Sequence, residues 1–101
     1  MAGGYRLTPE ARTNLDDISA FVAEDSVDAA LRLLDAFERA FDQLAAMPGL
    51  GHTREDLTPR PVKFWGVHSY LVVYDPARTP LTIVAVLHGA RDVQRLLRAS
   101  T

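Results

Sequence analysis

A chain of 101 residues with 48% hydrophobic and 24% charged positions suits one folded core and excludes disorder or a fibrous repeat, so a single domain over residues 1–101 is expected. It has no cysteine, which excludes a disulfide framework and any thiolate-held zinc or iron–sulfur group. The net charge of −2 hides an asymmetry, four Arg against nine Asp and Glu in residues 1–48 and seven cations against four acids in residues 49–101, and seven dispersed cations are too few for the dense basic face of a direct DNA binder.

Tyr5-Arg6-Leu7 is short and extended in character and can add a strand. Thr8-Pro9-Glu10 then starts a helix: a capping hydroxyl, a proline suited to the first turn, and an acid at the positive end of the helix dipole. Ala11, Leu15, Ile18 and Val22 recur on one face, and the helix is expected to run to about Glu24. Asp25 or Ser26 caps a second helix, with Ala30, Leu34, Phe37, Phe41 and Leu44 as its stripe and Pro48-Gly49 as its stop. The connection is short, so the two helices form an antiparallel hairpin.

After the turn-rich GLGHTREDLTPRP the period becomes extended. Val62–Val67, Tyr70–Tyr74 and Thr82–Leu87 are β-branched and aromatic runs, read as three strands of an antiparallel meander. The last is apolar on both faces, which suits a central position. Beyond Asp92, the residues Val93, Leu96 and Leu97 make one apolar edge of a short final helix. The fold class is α+β, in the order β-α-α-β-β-β-α, with the helical hairpin on one face of a small sheet. No apolar run approaches the roughly 18 residues of a membrane span, and MAGGYRL lacks the segments of a secretory signal, so cytoplasmic residence without membrane attachment is expected.

Candidate chemistry concentrates in VLHGARD. His52, His68 and His88 match no metal-ligand spacing, no GxSxG elbow is present, and no glycine loop precedes a helix to cradle phosphate; no cofactor or metal is expected. A metal-free ribonuclease is the enzymatic alternative, in which His88, Arg91, Arg54, Lys63, Tyr70 and His68 would supply base, acid and positive charge around one phosphate. The preferred account of the cluster is a strand end: Gly89 permits the turn, Asp92 caps the final helix, and Arg91 pairs with an acid. Arg54 is expected to clamp its loop to the sheet through Asp56 or Asp92 in preference to touching a partner. Of Trp65, Tyr70 and Tyr74, at least one is expected in the core.

YRLTPEARTNLDDI, AFDQLAAMPGLGHTREDL, GVHSYLVVYDP and VLHGARDV together resemble the RelE/ParE toxin superfamily of type II toxin–antitoxin modules, and more closely its ParE-like plasmid-stabilisation branch. The likeness runs from Tyr5 to Leu97. It implies a compact β-α-α-β-β-β fold with a C-terminal helix. It also implies a cognate, ParD-like antitoxin that wraps the toxin in a hetero-oligomer. For the ParE branch it implies DNA gyrase as the target; for the RelE branch, ribosome-dependent cleavage of messenger RNA. Nuclease members resemble one another in a strongly basic surface and often a tyrosine or histidine in the last segment. Here Arg91 falls where such an arginine often falls, but VQRLLRAST has neither residue and Lys63 is the only lysine. The resemblance therefore favours a protein-binding toxin without catalytic residues, with Arg54, Asp56, Lys63, Tyr70, His88, Arg91 and Asp92 as family-motif and partner-binding candidates.

Overall fold

The computed structural model describes residues 4–89, Arg91 and Asp92. In chain order it contains β1 (Tyr5–Leu7), α1 (Pro9–Ala23), α2 (Val27–Ala46), β2 (Lys63–Val67), β3 (Tyr70–Asp75) and β4 (Leu81–His88). The sheet order is β1-β4-β3-β2. β1 is parallel to β4, while the β2–β3 and β3–β4 pairs are antiparallel. The doubly apolar β4 is thus central, as its composition requires. The expected final helix on Val93, Leu96 and Leu97 lies outside the described residues.

Each helix begins where the sequence places a hydroxyl. The Thr8 Oγ1 accepts from the Ala11 N–H at 3.1 Å, and the Ser26 Oγ accepts from the Ala29 N–H at 3.1 Å, which settles the second cap on Ser26. The apolar stripes meet over the sheet in a core of Ala11, Leu15, Phe37, Ala40, Phe41 and Leu44 from the helices and Val67, Val72, Tyr74, Leu81, Ile83 and Val86 from the strands. Phe41 meets Tyr5 edge-on at 5.1 Å and Phe37 at 6.1 Å; Phe37 in turn meets Tyr70 at 5.7 Å. Such offset and edge contacts add to what burial alone contributes.

β4 does not keep a simple alternation. Val73 pairs with Ala85 but Tyr74 pairs with Ile83, so Val84 is an extra residue in the strand. This bulge shifts the phase: Leu81 and Ile83 face the helices, and after it Val86 and His88 do, while Ala85 turns to the other side. β1 reaches only as far as Ile83, so the edge of β4 beyond that point lacks a neighbouring strand. α1 supplies the missing partners. The Thr8 hydroxyl donates to the Val84 carbonyl at 2.7 Å, and the Val86 N–H donates to the Asn14 Oδ1 at 3.0 Å. One threonine therefore both starts the helix and straps it to the bulge.

The opposite face of the sheet is covered by the segment after α2. Leu57 is fully buried there with Val62, Phe64, Val73 and Ala85. The entry to this segment is held by Tyr74, whose hydroxyl donates to the Pro48 carbonyl and accepts from the Gly51 N–H, both at 2.8 Å. Gly51 has to be glycine in this packing, because a Cβ would lie 2.6 Å from that hydroxyl and 2.8 Å from the Phe64 carbonyl. His52 exchanges both backbone hydrogen bonds with Phe64, at 3.0 and 2.7 Å, and so blunts the β2 edge. The β2–β3 turn is tighter than the Gly66–Ser69 connection expected from sequence. Val67 pairs with Tyr70, leaving His68 and Ser69 as the loop, with His68 at φ 54°.

Candidate partner-binding cleft

The end of β4 is organised by its own short-range chemistry. The Gly89 N–H donates to the Ser69 carbonyl at 2.8 Å, and a Cβ on Gly89 would stand 2.9 Å from that oxygen, so the HG step lets the chain pass against the β2–β3 turn. The His88 N–H donates to the Asp92 Oδ2 at 2.7 Å. In return, the Arg91 N–H points at the His88 Nδ1 at 3.5 Å. This is a reciprocal arrangement of the capping-box kind, in which the Asp92 carboxylate reaches back to the His88 backbone; the final helix that Asp92 is expected to cap lies outside the described residues. Arg91 does pair with an acid, its Nε lying 3.8 Å from the Asp92 Oδ1.

The bulge in β4 points His88 to the helix side, where its ring meets Tyr70 edge-on at 5.5 Å. Between this corner and α1 opens a cleft of about 330 Å³ lined by Asp17, Ile18, Phe21, Tyr70, His88 and Arg91. A smaller, more polar hollow of about 200 Å³ adjoins it, reaching Asn14, Val86 and Asp92. Ile18, Phe21 and Tyr70 give the cleft an apolar wall, Arg91 a positive rim and Asp17 a negative one. Such a surface accepts an amphipathic segment by burying apolar side chains and fixing their register with a few charges.

The remaining candidates stand elsewhere. Arg54 grips Asp56 with two hydrogen bonds, Nε to Oδ1 at 3.0 Å and Nη2 to Oδ2 at 2.9 Å. The guanidinium holds the Asp56 carboxyl below the ordinary carboxylate range, and the same hydrogen bond raises Arg54. The pair closes on its own loop, since the anchor to the sheet is Leu57, whose N–H bonds back to the Arg54 carbonyl at 2.9 Å. Lys63 pairs with Tyr74, whereas His88 pairs with Tyr70 four residues along β3 and on its other side, which separates them by roughly 13 Å along the strand direction alone. The structure therefore gathers Tyr70, His88, Arg91 and Asp92, keeps Arg54 with Asp56 as a second unit, and leaves Lys63 at the other end of the sheet.

Tyr74 is wholly in the core, and Trp65 and Tyr70 pack partly buried against it. Sequence reasoning missed the contribution of α1. Asn14, Asp17 and Phe21 follow at spacings of three and four, a second stripe beside the core stripe, and the apolar Phe21 on it was the available signal. Among the described residues no group of three or more His, Cys, Asp or Glu could hold a metal ion, and no helix is long and apolar enough to cross a membrane.

Comparison with known proteins agrees with this architecture. A family model described as the ParE toxin of the type II toxin–antitoxin system, parDE, matches residues 5–93. The chain belongs to this family and is a ParE-type toxin of a type II toxin–antitoxin system. Among solved structures, the chromosomal ParDE toxin–antitoxin system from P. aeruginosa is similar with a TM-score of 0.70 and 16% identity, over 86% of this chain and 96% of that one. At that identity the likeness speaks to the fold, and it matches the strand, helical hairpin and three further strands seen here. A search of curated proteins gave no match.

Proposed function

We propose that this toxin arrests growth by binding and poisoning DNA gyrase in the cytoplasm, as one domain acting through protein contact and without catalytic residues of its own. In the same reading a cognate ParD-like antitoxin neutralises it by laying an amphipathic segment in the cleft beside α1. The family match across residues 5–93 carries the proposal. The geometry supports it: Arg54 is engaged on Asp56, Asp92 on the His88 backbone, and Tyr70 between Phe37 and His88. A ribonuclease needs several cations and a base at one phosphate, and Lys63 and His88 stand at opposite ends of the sheet.

Purified toxin is expected to block supercoiling by gyrase or to trap cleaved DNA in a gyrase assay, and antitoxin is expected to reverse the effect. Growth arrest with gyrase untouched would overturn the target. Codon-phased cuts in messenger RNA that vanish in Arg91→Ala would establish the RelE-like nuclease in its place. For the antitoxin site, Phe21→Ser together with Arg91→Glu should weaken antitoxin binding about tenfold or more through lost apolar area and reversed charge, while leaving the fold intact.

A further inference from the structure

Nearly every large apolar side chain of the hairpin turns inward, but three near its connecting turn do not. Phe21 in the last turn of α1 is 68% exposed, and Val27 and Leu31 at the start of α2 are 62% and 60% exposed. Val27 and Leu31 are four residues apart, so they form one ridge on the helix surface. Glu24, Asp25 and Asp28 lie within a few residues of that ridge in the chain, at the same end of the hairpin, and are all exposed. The next cation along α2, Arg32, still leaves this end with an acidic excess. Neither local folding nor the core requires a valine and a leucine here: the cap is Ser26, and α2 already buries Ala30, Phe37, Ala40, Phe41 and Leu44. Polar residues at both positions would serve an unpartnered helix better.

We propose that this end of the helical hairpin, the Val27–Leu31 ridge with the neighbouring acids Glu24, Asp25 and Asp28, is a docking surface for a partner protein's basic amphipathic helix. Charge selects the occupant. A second copy of the chain meeting this end through a two-fold axis would bring the same acids face to face. An acidic segment, such as would suit the Arg91 rim of the cleft, is repelled here. A helix with leucine-like residues at spacings of three and four, flanked by Lys or Arg, matches both the ridge and its neighbouring acids. The surface is a third contact, apart from the antitoxin cleft, and it does not depend on gyrase being the target.

Titrating a short helical peptide of leucine and lysine into the isotopically labelled 101-residue toxin tests the proposal by NMR. Amide shifts are expected across residues 24–31, with binding that weakens as salt is raised. The corresponding leucine–glutamate peptide should not bind there. Val27→Ser with Leu31→Ser should weaken binding about tenfold, the equivalent of losing two modest apolar contacts. Glu24→Gln with Asp28→Asn should weaken it about threefold and flatten the salt dependence. Equal binding of the two peptides, shifts confined to the cleft or the sheet, or an unchanged affinity in the serine variant would overturn it. Concentration-dependent self-association abolished by the serine variant would instead make the surface a contact between copies, and would also overturn it. Gyrase inhibition is read in a separate assay, so loss of one result leaves the other standing.

Discussion

The two faces of the sheet are built on different principles. The helix side is sealed by two amphipathic helices whose buried residues recur every three or four positions, so one face of each helix supplies a continuous apolar layer. The outer side is sealed by an irregular segment that has no periodicity and buries Leu57 and Val62 against Phe64, Val73 and Ala85. The first face is held by area, the second by a few fixed points: the Tyr74 hydroxyl on Pro48 and Gly51, the His52–Phe64 bridge, and Leu57 itself. Removing a fixed point should therefore act on one face only, and removing area should act on the whole molecule.

The largest effect is expected at the centre of the helix side. Phe37→Ala empties a site that touches both Phe41 and Tyr70, and should cost about 4 kcal/mol in urea unfolding. Leu57→Ala should cost about 3 kcal/mol, since its side chain is equally buried and its neighbours on the outer face are too few to collapse around the void. The comparison is sharpened by amide exchange. In Leu57→Ala the N–H groups of His52, Leu57 and Thr58 should exchange faster while those of β4 keep their relative protection. A variant that lost only as much stability as a surface change would show that the outer segment is no part of the core.

How much of this was legible beforehand follows from the same contrast. Helices and their caps were readable because Thr8, Ser26 and the three–four spacings act within a turn or two of themselves. Strands were readable from β-branched runs, to within one residue at their ends. The bulge at Val84 was not, because nothing in TIVAVL marks it; its cause is the partner edge, where Thr8 and Asn14 replace a strand that stops at Leu7. The same long-range cause hid the cleft. His88 faces α1 only because the bulge turns it there, so Asp17, Ile18 and Phe21 could not be joined to it from sequence. The motif that carried the family likeness also gains a physical meaning. In PGLGHTREDL the outer Pro48 and Gly51 are the two partners of Tyr74, the last residue of YLVVY; Arg54 and Asp56 hold each other, and the closing Leu57 is the plug.

That stitch yields the next effect in size. Tyr74→Phe keeps the ring but leaves the Gly51 N–H and the Pro48 carbonyl without their partner, and should cost about 1–2 kcal/mol. It should also change the response to alkali. Burial raises the Tyr74 phenol above its ordinary value of 10.0, so at pH values above that the unfolded chain loses its proton before the folded one does. Stability contributed by the buried neutral phenol is complete below about pH 10 and falls as pH rises further. Tyr5 is raised as well, by burial and by Asp42 and Glu38, and both proteins retain it. The difference between wild type and Tyr74→Phe should consequently narrow in denaturant midpoints as pH rises above about 10; a difference that stays constant in alkali would remove Tyr74 from the account.

Asn14→Leu should come next, at about 1 kcal/mol, by withdrawing the acceptor from the Val86 N–H beside the bulge. The smallest effect is expected at Arg54, although it makes two hydrogen bonds to Asp56, at 3.0 and 2.9 Å. Both partners are solvent-exposed, at 43% and 60% of their side-chain surface, so water and salt replace the lost interaction on the spot. Arg54→Ala should leave the denaturant midpoint within experimental error and remove only the depression of the Asp56 carboxyl, visible as a titration shifted upward in NMR. Leu57, three residues on, anchors the same turn through buried area instead of charge. If Arg54→Ala destabilised the toxin as much as Leu57→Ala, the outer face would be held by its ion pair and not by its plug, and the contrast drawn between the two faces would fail at that point.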